Sequence, residues 1–186
     1  MKPTPELEAL AAEIAGAART SFRTLFENGE RYYYCTLFTT GEGHAPGISA
    51  WSWEALEREA ARQEDESGTP ESTIAELIKW SYADSPYCCF ADEEFNDVKQ
   101  LFLELPAITE LEADDRNHEF EFRLKAMEMA MTMLDKEGLF ALNQPRESVC
   151  VLVEVMPPDE INTEIALRLN QAESPAIQAW LAEAAE

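Results

Sequence analysis

The sequence predicts a single α+β domain spanning residues 1–186, and three features of the chain lead there. Strand-like runs stand near both ends, helical periodicity fills the stretch between them, and no repeat or linker divides the chain. Its 186 residues, 46% of them hydrophobic, supply enough apolar material for one core. The expected architecture is a small, mostly antiparallel central sheet packed with several helices, one of them long and central.

The first helix begins at Pro5 behind Thr4 as its cap. Leu7, Ala11, Ile14, Ala18, Phe22 and Leu25 recur every three or four residues, and Asn28-Gly29 ends the pattern. Residues 31–39, rich in aromatic and β-branched side chains, read as a strand. Gly41-Glu42-Gly43 turns the chain, so a short strand over 47–51 pairs back on the first. Residues 53–63 look helical, and 64–70, acidic and ending in Gly68-Thr69-Pro70, read as a mobile surface loop. A short helix over 72–78, the aromatic stretch 80–87 and a helix over 93–105 stopped by Pro106 follow.

The helix after Asp115 carries two apolar stripes. Phe120, Leu124, Met127, Met131 and Leu134 form one, and Phe122, Ala126, Met129 and Met133 form the other. Two stripes need two covers, which predicts a position between the sheet and another helix. Residues 139–142 read as a short extended segment after Gly138. The run 148–156 is nearly all apolar, as a strand buried on both faces must be, and Pro157-Pro158 stops it. Helices over 159–169 and 175–185 complete the chain.

Fourteen Lys and Arg against 37 Asp and Glu leave a net charge of −23. A polyanion is bound by a basic surface that releases counterions, so no nucleic-acid partner is expected, and the same charge repels anionic lipid headgroups. Glu6, Glu8 and Glu13 interrupt the start of the chain, and no apolar run approaches the roughly 18 residues of a membrane helix. A cytoplasmic protein is the expectation. Cys35 and Cys150 lie in apolar runs as small hydrophobes, and adjacent Cys88 and Cys89 match neither a zinc site nor a CxxC pair. The sequence lacks GxSxG, GxGxxG and the phosphate-binding GxxxxGK[ST] pattern. No cofactor and no metal are expected, His118 among Asp114, Asp115 and Asn117 reading as a helix start.

Three segments together resemble a known family. Tyr32-Tyr33-Tyr34-Cys35-Thr36-Leu37-Phe38-Thr39, then Trp80-Ser81-Tyr82-Ala83-Asp84-Ser85-Pro86-Tyr87, then Leu134-Asp135-Lys136-Glu137-Gly138-Leu139-Phe140 leading into Arg146-Glu147, are similar to the bacterial family called domain of unknown function 4303. The resemblance covers almost the whole chain and implies no known activity. In size and charge such proteins are similar to small acidic α+β proteins of bacterial toxin and immunity systems.

The residues leave several functions open. An acidic face including Glu64, Asp65 and Glu66, or Asp114 and Asp115, would engage a basic protein, in its sharpest form as an immunity-type inhibitor of a toxin. Alternatively Trp80, Asp84 and Tyr87 would form a pocket, with Arg146-Glu147 nearby, for a small ligand or for catalysis. The plainer reading of that stretch is a turn in which Asp84 caps backbone and the rings pack on the core. Arg146 is read as an ion-pairing residue toward a neighbouring element. A third possibility is self-pairing through the second stripe of the long helix.

Overall fold

The computed structural model describes residues 2–185. Helix α1 (Pro5–Phe26) starts where expected, with the Thr4 hydroxyl accepting from the Leu7 amide at 3.3 Å. Strands β1 (Tyr32–Thr40) and β2 (Gly47–Ser52) form an antiparallel hairpin. Helices α2 (Trp53–Ser67), α3 (Glu71–Ile78) and α4 (Asn96–Glu104), the last entered through a 3-10 turn, lead to the long α5 (Ala113–Lys136). Strand β3 (Cys150–Met156) and helices α6 (Glu160–Leu169) and α7 (Pro175–Glu183) follow.

The sheet order is β2-β1-β3, and β3 runs parallel to β1. One of its two ladders is therefore antiparallel and the other parallel, a mixed sheet where a mostly antiparallel one was expected. The long excursion from β2 to β3 allows this, because parallel neighbours need a crossover and antiparallel ones only a hairpin. Side-chain alternation divides the core in two. Cys35, Leu37, Ile48, Ala50, Val151 and Val153 point toward α1 and α5, while Tyr34, Trp51, Cys150 and Leu152 point toward α2, α3 and α7. Three layers result. Both apolar stripes of α5 join one cluster with the buried face of α1, so α5 lies beside a helix on one face of the sheet.

Two local expectations change. Residues 64–67 are not loop but the last turn of α2, which Gly68 closes in the left-handed conformation at φ 73°. Arg62 supports that turn by pairing with Glu59 and Glu66, three and four residues away on the helix, both at 2.5 Å. Residues 139–141 form a 3-10 turn rather than an extended segment.

Both outer strands have unpaired edges, and the chain covers each. The segment after α3 lies along β2, with the Ser85 hydroxyl donating to the Ala50 carbonyl at 2.5 Å and the Cys89 amide to the Ile48 carbonyl at 2.9 Å. Along β3 two side chains of the α6 region take over. Asn162 accepts from the Val155 amide at 2.7 Å and donates to its carbonyl at 3.2 Å. Asn170 treats Val151 the same way, at 3.0 and 2.7 Å. Eight helical residues advance about 12 Å and four strand residues about 13 Å, so two asparagines eight apart match two valines four apart. These amides stand in for a fourth strand, which is how β3 is buried from Cys150 to Val155 although it is an edge.

Candidate functional site

The expected pocket of Trp80, Asp84 and Tyr87 does not assemble. Asp84 is exposed in a turn, where its amide donates to the Ser81 hydroxyl at 3.4 Å. Trp80 turns to the α7 side, donating its indole N–H to Glu183 at 2.8 Å. It lines a cleft of about 170 Å³ with Tyr33, Trp53 and Lys79, and neither Asp84 nor Tyr87 reaches that cleft. The Lys79 ammonium stands 5.0 Å above the Trp80 ring and 2.8 Å from Glu183. Residues 80–87 form a turn with Trp80 and Tyr87 packed against the core, but the hydrogen bond at Asp84 is made by its amide and not by its side chain as a cap. The backbone of this turn is needed to cover β2, and the Ser81 carbonyl also accepts from the Trp51 indole at 2.8 Å.

Tyr87 joins a cluster that sequence inspection did not reveal, centred on Glu30. The Glu30 carboxylate accepts from the Ser52 hydroxyl at 2.5 Å, the Tyr87 hydroxyl at 2.7 Å and Arg58 at 2.6 Å. Burial by itself pushes this carboxyl up, but the three donors outweigh it and hold Glu30 below the usual carboxylate value. Tyr87 is pushed the other way, by burial and by its bond to Glu30. The cluster joins the α1 exit, the end of β2, α2 and the 80–90 segment. Only a lone Glu after Asn28-Gly29 marks it in the sequence, and nothing local announces its partners.

Because Glu30 is lowered in the folded chain, the unfolded state binds the proton more readily. The stability it contributes is present above the unfolded carboxylate value and is lost as pH falls through the ordinary range near about 4 and below. Glu30→Gln is expected to lower stability by about 2 kcal/mol at neutral pH, the scale of a charged hydrogen-bond set. It is also expected to flatten the loss between neutral and acid pH. Urea midpoints measured from pH 7 down to pH 3 test this, and parallel acid limbs for both proteins would contradict it.

Arg146 does pair with a neighbouring element. Its Nε meets Asp135 of α5 at 2.5 Å, and its other nitrogens donate to the carbonyls of Val149 and Leu169 at 2.7 and 3.1 Å. Adjacent Glu147 is exposed, so the Arg146-Glu147 pair is a structural brace beside a free acid and no part of a pocket with Asp84. The buried carboxylate of Glu154 on β3 accepts from the Tyr34 hydroxyl and helps keep that phenol protonated.

The two acidic groups lie in opposite layers. Glu64, Asp65 and Glu66 end α2, while Asp114 and Asp115 occupy the first turn of α5. They do not form one continuous face. His118 gives its Nδ1 to the Asp114 carbonyl at 2.8 Å, as a helix-start residue would. Among the described residues no set of three or more His, Cys, Asp or Glu is placed to hold a metal ion, and no helix is long and apolar enough to cross a membrane. Cys35 and Cys150 are buried as expected, and burial together with Cys89 pushes the Cys88 thiol up to about 12.

No curated protein and no solved structure matches the chain. A family model described as Domain of unknown function (DUF4303) matches residues 14–171, which take in all three strands, helices α2 to α6 and both asparagines that close the β3 edge. With that match running over most of its length, as the three sequence segments led one to expect, the chain belongs to the DUF4303 family.

Proposed function

We propose that this protein works by binding a basic protein partner, and that its sharpest form is an immunity-type inhibitor that covers the partner's basic site. One observation carries the reading: most of the basic side chains are paired with acids of the chain itself, which leaves the excess acid without basic neighbours. Arg19, Arg31, Arg58, Lys79, Lys99 and Arg146 each hold an acid, and Arg62 and Arg168 hold two apiece. Glu64, Asp65, Asp114 and Asp115 are exposed without such partners among the described residues. A field of this sign speeds encounter with a cationic surface and repels other acidic proteins, which calls for no catalytic group.

The test is affinity capture from the lysate of the source cells at low and high salt. A basic protein retained at low salt and released at high salt is the expected result. Reversing Glu64, Asp65 and Glu66 to Lys, or Asp114 and Asp115 to Lys, is expected to reduce capture by about tenfold at whichever layer meets the partner. Capture that ignores salt and both reversals would overturn the reading.

A further inference from the structure

A concavity of about 600 Å³ lies between α1 and α4, untouched by the clusters described above. Its floor is apolar, built from Leu10 of α1, Leu101 and Leu105 at α4, and Phe122 of α5, the last three only half-buried. Its rim is acidic: Glu6 and Glu13 stand on the α1 wall, and Asp97 and Glu104 on the α4 wall. No Lys, Arg or His lines it. None of the four carboxylates has an ion-pair partner among the described residues, and Lys99, the basic residue of α4, pairs instead with Asp92 in the turn before that helix.

The spacing on the two walls is the same. Each pair of carboxylates is seven residues apart on one helix, two turns, or about 10 Å along the axis. Lys or Arg residues at i and i+7 of an incoming helix are separated by the same length, and the apolar side chains between them fall on the stripe such a helix lays into a groove. We infer that the α1–α4 groove docks an amphipathic helix of a partner protein, its apolar stripe seated on Leu10, Leu101, Leu105 and Phe122 and its flanking Lys or Arg residues paired with Glu6, Glu13, Asp97 and Glu104. This deepens the basic-partner reading and rests on it for the partner's nature. A second copy of this chain is the wrong occupant, because each copy carries −23 and would bring acid against acid.

The probe is a synthetic helical peptide of about four turns, with Leu repeating at i, i+3 or i+4 and i+7 and Lys at i and i+7 on both flanks, its binding to the whole chain followed by fluorescence anisotropy. Three control peptides accompany it: a scramble of equal composition, a copy with Glu for Lys, and a copy with a central Pro that breaks the helix. The stripe peptide is expected to bind at least about tenfold tighter than each control. Glu13→Lys with Asp97→Lys on the rim, and separately Leu101→Gln on the floor, are each expected to weaken it by about tenfold or more. Reversal of Glu64, Asp65 and Glu66 on the far layer is expected to change it less than about twofold. The rim positions are exposed and leave folding intact, so an unchanged affinity in the rim variant overturns the groove assignment. A scramble that binds equally well also overturns it, since charge alone would then explain binding. If salt-released capture of a basic protein persists while the stripe peptide fails, the groove is wrong and the basic-partner reading stands. If the stripe peptide binds through rim and floor while no basic protein is captured, the groove is upheld and the reading falls.

Discussion

Replacing Asn170 by Leu is expected to cost about 3 kcal/mol of folding stability, at the upper end of what leaving buried backbone groups unpaired costs. The side chain makes four hydrogen bonds at once. Its oxygen accepts from the Val151 amide and from Arg146 at 3.0 and 3.2 Å, and its nitrogen donates to the carbonyls of Val151 and Ala166 at 2.7 and 2.9 Å. Leu keeps the volume but strands both polar groups of Val151 inside the fold and removes one partner of Arg146. Asn162→Leu does the same to Val155, with an expected loss of about 2 kcal/mol, because Asn162 makes fewer bonds. The two sites lie more than two helical turns apart and share no partner, so their effects should add. The double variant is then expected to be largely unfolded, since a loss near 5 kcal/mol equals the whole stability of many domains. Urea denaturation measures the losses, and amide exchange locates them. If the Val151 and Val155 amides of the Leu variants exchange as slowly as in the parent, the edge-closing role is wrong.

Arg123→Met is expected to destabilise by about 3 kcal/mol, the range for breaking a buried charge pair by removing one partner. Arg123 is only 4% exposed, on the side of α5 near the first hairpin. It donates to the Gly43 carbonyl at 2.9 Å, to the Pro106 carbonyl at 2.6 Å and to Glu119 at 2.8 Å, and its guanidinium lies 5.5 Å over the Phe102 ring. One planar group thus ties the β1–β2 turn, the α4–α5 connection and α5 together. Gly43 makes the close approach possible: it sits at φ 60°, and a Cβ there would stand 3.1 Å from Phe120 and 3.2 Å from Arg123. Arg123→Lys is expected to restore only part of the loss, because one ammonium cannot match three acceptors fanned around a fixed fork. A Lys variant as stable as the parent would show that charge alone matters there.

Much of the fold is legible in the chain because its signals are local. The repeat of Leu7, Ala11, Ile14 and Ala18, the Thr4 cap and the apolar run at Val149 to Val155 each state an element and its buried face within a few residues. The end of α2 is not legible in the chain because Glu64, Asp65 and Glu66 look like loop residues in isolation, whereas their helix is held by Arg62 and a left-handed Gly68. The relation among the aromatic-segment residues is illegible in the chain for a related reason. Trp80, Asp84 and Tyr87 are neighbours in sequence, but the turn that brings them close sends Trp80 to Glu183 and Tyr87 to Glu30.

By itself, then, the sequence determined most of the helices and strands, the buried faces of α1, α5 and β3, the two buried cysteines and the sign and size of the net charge. Each of these is set by adjacent side chains or by simple addition. Only the tertiary structure decided that β3 runs parallel to β1, which side chains close the sheet edges, which acids are neutralised and which surround the α1–α4 groove. These depend on groups far apart along the chain, such as Asn170 with Val151 and Tyr34 with Glu154. A buried polar group must find a partner somewhere in the fold, and that requirement selects the partner by position in space rather than by position in sequence.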